Sequence, residues 1–264
     1  MRFIPKVIHL IWFGRNPYSP IIEKCLKSWE KFCPDYIIHL WNEDSFDINC
    51  NTFVKEAYKA KKWAFVSDYV RLYALLNEGG VYIDSDCELL RGIDDILENE
   101  HVVTGYSSSM WIPTGFMAAE KGNEWIEMLI HYYDHRHFIQ ENGCYDMTVN
   151  NVIITELSQR NCGFKPGDMH INFGNVKLYP REYFHPYPKR VVDWSKNDIN
   201  KVESFYKVDK KKTVCIHYGT GSWVGNRNKG MYKIKHLVRR LLPQQIIDPM
   251  ERIYYKFHHW NKVK

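Results

Sequence analysis

The chain has 264 residues, 45% of them apolar and 15% aromatic, with a formal net charge of +5. That content is enough to bury one large core or two unequal ones. The seven cysteines are odd in number and scattered, without a Cys-x-x-Cys pair; this excludes a disulfide framework or a structural zinc site and points to a reducing, cytoplasmic setting.

In chain order, Val7 to Phe13 is a β-rich apolar run ending at Gly14 and reads as a buried first strand. It is too short for a signal peptide, and no apolar run of about 18 residues is present to span a membrane. Ser19 to Phe32 has helical spacing, with Ile22, Cys25, Leu26 and Trp29 on one face, and Tyr36 to Trp41 reads as a second strand. Trp63 to Asn77 is the strongest helix, its Phe65, Tyr69, Leu72, Leu75 and Leu76 recurring at three- and four-residue steps until Gly79-Gly80 stops it. An acidic strand follows at once. Further strands are expected at His101–Gly105, Phe116–Ala119, Val176–Tyr179 and Thr213–His217, and helices at Asn123–His135 and Val149–Gln159. Strands alternating with helices predict an α/β fold with a mainly parallel sheet.

Gly79 to Glu88 reads Gly-Gly-Val-Tyr-Ile-Asp-Ser-Asp-Cys-Glu. In an extended chain Tyr82, Asp84 and Asp86 point one way, Val81 and Ile83 the other. Two adjacent carboxylates repel unless a cation lies between them. Oxygen ligands of this kind suit Mg²⁺ or Mn²⁺, ions that bridge carboxylates to a diphosphate, so the stretch implies a nucleotide-sugar site. Asp68 and Arg71, three apart, share a face of the preceding helix. Arg can fork two oxygens of a sugar or phosphate while Asp accepts from hydroxyls; the alternative is a local ion pair. An apolar strand ends at His217, and a glycine-bearing loop then presents Ser222 and Trp223, where open α/β sheets hold their ligands. A His ligand there would favour Mn²⁺ over Mg²⁺. Trp12, at the end of the first strand, offers a ring for stacking on a base, or is a core side chain.

These marks, in order, are Ile4-Pro-Lys-Val-Ile-His-Leu-Ile-Trp-Phe-Gly14, Ser28-Trp29, Pro34-Asp-Tyr36, Ser67-Asp-Tyr-Val-Arg71, Gly79 to Asp86, Tyr179-Pro-x-x-Tyr-Phe-x-Pro186 and His217-x4-Ser222-Trp223. Together they resemble the family-32 glycosyltransferases, the Asp-x-Asp group with a sugar-binding region, and in particular their bacterial capsular-polysaccharide members. The same core is similar to the glucosyltransferase domains of large clostridial toxins. The resemblance implies a GT-A-type domain over residues 1–230, a UDP-hexose donor, Mn²⁺ or Mg²⁺, and retention of anomeric configuration. It implies that Trp12 stacks on the base, Tyr82 lines the nucleotide pocket, and Asp68 and Arg71 hold the donor sugar. Asp86 would be the direct metal ligand, assisted by Asp84 and completed by His217, with Ser222 and Trp223 on the diphosphate. Two departures stand out: Tyr218 replaces a second His common in relatives, and the Asp146–Gln159 segment lacks their Thr-Gly-Pro.

Residues 231–264 carry eight Lys/Arg against two acids, so the first 230 residues sum to −1. Met231, Ile234, Leu237, Val238 and Leu241 form one apolar stripe; Ile246, Ile247, Met250, Ile253, Tyr254 and Phe257 form another. Two basic amphipathic helices are expected, either capping the domain or lying on an anionic membrane surface, which would suit a lipid-linked (polyprenyl-diphosphate) saccharide acceptor. Without a recognition motif, basic charge gives no case for nucleic acid. Two other functions compete with glycosyl transfer: a sugar-binding module without catalysis, and a haloacid-dehalogenase-type phosphatase. The latter carries Asp-x-Asp on its first strand followed by Gly-Thr, whereas Cys87-Glu88 follows here.

Overall fold

The structure, a computed structural model, describes residues 3–107, 111–165, 172–186, 204–220 and 250. The chain is of the expected mixed α/β class. The N-terminal half holds β1 (Val7–Ile11), α1 (Pro20–Phe32), β2 (Ile37–Trp41), α2 (Thr52–Lys59), α3 (Trp63–Glu78), β3 (Gly80–Ile83), β4 (Cys87–Leu89), α4 (Asp94–Leu97), β5 (Val102–Gly105) and β6 (Phe116–Ala119). Then come α5 (Glu124–His131), α6 (Asn150–Cys162), β7 (Val176–Tyr179), α7 (Arg181–Phe184) and β8 (Cys215–His217). Six strands form one sheet in the order β2-β1-β3-β6-β5-β7. Only β6 runs against its neighbours, so the sheet is mainly parallel. The expected basic helices of 231–264 lie outside the described residues, apart from Met250.

Side-chain alternation divides the core into two layers. Ile8 and Leu10 of β1 and Val81 and Ile83 of β3 join Trp29 of α1 on one face. Ile11 and Tyr82 join Leu72 and Leu75 of α3, Met117 of β6 and Trp125 of α5 on the other. A sheet buried on both faces explains why these strands read as nearly continuous apolar runs. Two helices, α2 and α5, start where polar side chains satisfy free amides: Asn51 accepts from the Val54 amide (3.3 Å) and Asn123 from the Trp125 amide (3.0 Å).

One expectation is corrected. The acidic stretch does not stay extended through Asp86: β3 ends at Ile83, and the chain turns at Ser85-Asp86, closed by the Cys87 amide donating to the Asp84 carbonyl (2.8 Å). Beyond the turn, β4 leaves the main sheet and pairs antiparallel with β8 in a separate two-stranded ribbon, Cys87 opposite His217. Strand alternation therefore relates Tyr82 to Asp84, whereas Asp86 is aimed by the turn.

The α3–β3 junction sets where this turn falls. Gly79 and Gly80 both have positive φ (68° and 105°), and a Cβ on Gly80 would lie 2.6 Å from the Val7 carbonyl oxygen of β1. Gly80→Ala therefore combines an unfavourable φ with a backbone clash, and is expected to lower stability by about 2–3 kcal/mol in urea denaturation. An unchanged midpoint would contradict this packing.

Candidate active site

The acidic turn meets α3 from one side and the β4–β8 ribbon from the other. Arg71 is buried on α3, and its guanidinium is held on all sides. It donates to Asp68 (2.8 Å), the Thr114 carbonyl (2.9 Å), Asp84 (3.4 Å) and the Ser67 carbonyl (3.1 Å), and lies 4.5 Å over the ring of Tyr82. The Tyr82 hydroxyl in turn donates to Asp84 Oδ1 (2.5 Å). One Asp84 oxygen is thus committed to Arg71 and Tyr82, while the other faces His217 Nε2 at 3.5 Å. Asp86 Oδ1 is 3.1 Å from the same nitrogen, and Asp86 Oδ2 accepts from the Thr220 amide and hydroxyl (both 2.9 Å).

Asp68, Arg71, Tyr82, Asp84, Asp86 and His217, expected as site residues, are therefore brought into one continuous cluster. Trp12 stands at the end of β1, its indole N–H donating to the Asn16 carbonyl (2.7 Å) and its ring edge against Tyr18 (5.0 Å); its described partners include none of the acidic residues. Ser222 and Trp223 lie outside the described residues.

The charges are strongly coupled. Burial opposes ionisation of Asp86, but His217 and the Thr220 donors outweigh it and hold the carboxyl well below the usual range. Burial would likewise lower His217, yet Asp86, and then Asp84, raise it to about 9. Without a cation the pair is an imidazolium against a carboxylate. Burial pushes Asp68 up to about 6 despite the attraction of Arg71, and the charge of Asp84 pushes the same way.

The donor set fits a divalent ion. Asp86, Cys87 and His217 each present a ligand atom within 4.8 Å of the others. Beside them Gly115 leaves room: a Cβ there would sit 3.1 Å from Asp84 Oδ2 and 3.2 Å from His217 Nδ1. The Gly115 carbonyl also fixes the Asp84 amide (2.9 Å). Two carboxylates and an imidazole, each partly exposed, suit Mn²⁺ or Mg²⁺ with ligand oxygens completing the shell. A second trio, His9, His39 and Glu78, is different. His9 Nδ1 accepts from the Trp41 indole (3.1 Å) and its Nε2 meets the Gly79 carbonyl (2.7 Å), so both nitrogens are committed.

Tyr218, the departure from the expected His, joins the cluster only through its backbone amide, which donates to the Asp86 carbonyl (3.0 Å); its side chain does not. Its hydroxyl donates to Glu88 (2.6 Å), which also accepts from Lys24 (2.7 Å), tying the ribbon to α1. Sequence reasoning missed several residues. Gly115 stood immediately before an expected strand. Thr220 sat inside the loop following His217. Asn150, whose amide donates to the Asp68 carbonyl (3.3 Å), carried no local signal. His185 occupied the unassigned position of the Tyr-Phe-x-Pro mark, and its ring lies 5.3 Å from that of His217.

With this geometry in view, residues 21–103 match the family described as the glycosyltransferase sugar-binding region containing a DXD motif. The resemblance read from the sequence holds over that stretch. It includes α3, the Asp84-Ser85-Asp86 turn and β4, but ends before Gly115 and His217. Among solved structures, the PaToxG glycosyltransferase aligns at 18% identity over 60% of this chain and 69% of its own, with a TM-score of 0.45. A glycosyltransferase involved in glycosylation of the major capsid of PBCV-1 aligns at 12% over 82% and 95%, at 0.45. The glycosyltransferase GlyE of Streptococcus pneumoniae TIGR4 aligns at 13% over 92% and 62%, at 0.42. A search of curated proteins gives no match.

Asp68 supplies the pH test. Its folded pKa, about 6, lies above the unfolded value of about 3.9, so the folded state holds the proton more tightly. Its contribution to stability is present at low pH and declines as pH rises through about 4 to 6. Carboxyl ¹³C titration is expected to place Asp68 near 6, and Asp84→Asn to move it downward; an upward or absent shift would contradict the coupling.

Proposed function

We propose that the protein is a metal-dependent, retaining glycosyltransferase that moves a hexose from a nucleotide-diphosphate sugar, a UDP-hexose, to a saccharide acceptor. The observation that carries this reading is the convergence of Arg71, Asp68, Asp84, Asp86 and His217 at one turn, the first four of them inside a stretch that matches a glycosyltransferase sugar-binding region. A lipid-linked acceptor in capsular or surface polysaccharide synthesis, engaged at the inner face of the cell membrane, fits the basic composition of residues 231–264. In this reading those residues form an appendage to a catalytic domain of residues 1–230.

Asp86 and His217 are the ligands in this reading, and Asp84 supports them. A divalent ion held by these residues would supply positive charge against the charge that develops on the departing diphosphate. Asp68 accepts from donor-sugar hydroxyls, while Arg71 holds Asp68 and Asp84 in place and supplies positive charge beside the diphosphate. Thr220 fixes Asp86 in orientation. Trp12 stacks on the base, Tyr82 forms the floor of the nucleotide pocket, and Ser222 and Trp223 contact the diphosphate. The acceptor oxygen forms a bond to the anomeric carbon as the anomeric carbon–phosphate oxygen bond breaks, and the acceptor proton passes to the departing phosphate oxygen. Attack on the same face gives retention without a protein nucleophile. A glycosyl-protein adduct trapped by mass spectrometry would contradict that step.

The phosphatase alternative needs a free Asp nucleophile after the first strand. Here the motif follows the third strand, and Asp84 is engaged by Arg71 and Tyr82. A sugar-binding module would bind donor without turning it over. The deciding measurement is Mn²⁺-dependent hydrolysis of UDP-Gal, UDP-Glc, UDP-GlcNAc, UDP-GalNAc and GDP-Man by the purified chain. One UDP-hexose is expected to be turned over, and Asp86→Ala to reduce its kcat by about 10²–10³ or more. Undiminished hydrolysis by the variant would overturn the site, and binding without hydrolysis would favour the module.

A further inference from the structure

The segment between α5 and α6 builds a second concave surface. Past His131 the chain winds through tight turns, the Tyr133 amide donating to the Ile130 carbonyl (2.9 Å) and the Arg136 amide to the Tyr133 carbonyl (3.3 Å). It then doubles back as a short hairpin. Ile139 bridges Tyr145, and the Gly143 amide closes the tip on the Gln140 carbonyl (2.8 Å), with Gly143 at φ 75°. Buried Phe138 anchors the hairpin against Phe53 of α2 (5.4 Å) and Phe65 of α3 (5.1 Å). Glu56 accepts from the Ile139 amide (2.9 Å), and the Asn51 side-chain amide donates to the Tyr133 carbonyl (3.0 Å). Between the turns and the hairpin lies an open cleft of about 990 Å³, walled by Tyr132, His135, Arg136, Gln140, Glu141 and Asn142.

The charges of this wall are largely compensated. Arg136 lies 3.9 Å over the Tyr132 ring and 3.9 Å from Asp146, while His131 and His137 face Asp134 (2.6 Å) and Glu56 (2.8 Å). His135 and Glu141 are exposed and bond to no other described residue. Gln140 donates through Nε2 to the His137 carbonyl (3.1 Å), and Asn142 accepts through Oδ1 from the Cys144 amide (3.0 Å). Each therefore keeps half of its amide for a ligand. An anion would meet no uncompensated Arg or Lys here, and an apolar ligand would strip these polar groups of water without replacing its hydrogen bonds. Sugar hydroxyls, each both donor and acceptor, match the mixture. The volume lies at the upper end of the roughly 300–1,000 Å³ range of small-ligand clefts, which suits several linked sugar units better than one.

The cleft is tied to the acidic cluster. Tyr133 follows Tyr132, their rings 5.1 Å apart, and donates to Asn150 Oδ1 (3.3 Å); Asn150 in turn donates to the Asp68 carbonyl (3.3 Å). Two side chains thus connect the cleft wall to Asp68. We propose that the cleft binds the remote units of an oligosaccharide acceptor, whose terminal unit reaches the site at Asp68. The acceptor role rests on the glycosyl-transfer reading, whereas saccharide binding by the cleft is measured without turnover.

In the test, the full chain without donor is applied to an array of neutral and anionic glycans, from single sugars to oligosaccharides, and the strongest binder is titrated by calorimetry. A neutral oligosaccharide is expected, bound at least about tenfold more tightly than its terminal sugar alone. His135→Ala and Glu141→Ala are each expected to weaken it by about 3- to 10-fold, and Glu141→Gln by less. Thermal melts of the variants separate a lost contact from a lost fold. Capture of no glycan, equal affinity for the single sugar, a preference for anionic glycans, or affinity unchanged in both Ala variants would each overturn the proposal. Mass spectrometry after addition of Mn²⁺ and UDP-hexoses then shows whether the bound glycan gains a hexose, as expected. Donor hydrolysed with the glycan unmodified would overturn the acceptor role and leave the transferase reading standing. Donor untouched with the glycan still bound would remove the transferase reading and the acceptor role together.

Discussion

A buried guanidinium organises this molecule's chemistry. Arg71 sits within α3, out of water, and such a charge is tolerable only with its donors satisfied and counter-charges close by. Asp68, Asp84, the Thr114 carbonyl and the Tyr82 ring meet that demand from three different elements. In doing so they fix the end of β3 against α3 and against the strand mouth at Gly115. The acidic turn is placed because Arg71 needs it there, as much as because a cation would.

The two carboxylates of the motif have unequal surroundings. Asp84 is bound to the main sheet by Arg71 and Tyr82, whereas Asp86 is bound to the ribbon by His217 and Thr220. Oxygen atoms engaged by Arg and by a phenol have less electron density to offer a metal than one whose main partner is a displaceable proton on imidazole. In the proposed reading, that asymmetry gives a physical reason for two Asp residues separated by Ser85 to divide the work, with Asp86 as direct ligand and Asp84 in support.

Much of this was legible in the sequence where the signal is local. α3 announced itself through its apolar spacing and its Gly79-Gly80 stop, and the order of strands and helices gave the α/β class. The Asp84-Ser85-Asp86 motif identified the site because acidic pairs after a buried strand are chemically conspicuous. The extended reading of that motif failed at Ser85, since a turn and a continuing strand differ only in hydrogen bonds that composition does not encode. The β4–β8 pairing was invisible for another reason: its partners are about 130 residues apart, and nothing in either three-residue strand specifies the other. Tyr218 illustrates the same limit. It stands where relatives commonly carry a His, and its side chain faces Glu88 and Lys24, the latter 194 residues earlier in the chain, a pairing no local pattern announces.

The division between sheet and ribbon has a mechanical consequence. Asp84 directly follows β3 of the six-stranded sheet, while Asp86 precedes and His217 ends the two-stranded ribbon, which joins the sheet through a two-residue turn, the side chains of α1 and a shared apolar core. In the proposed reading, a ligand seated between them would link sheet and ribbon across more than a hundred residues of chain, much as a cross-link does. A filled site would then also act as a tether, adding its binding free energy to the stability of the folded state across the seam between sheet and ribbon.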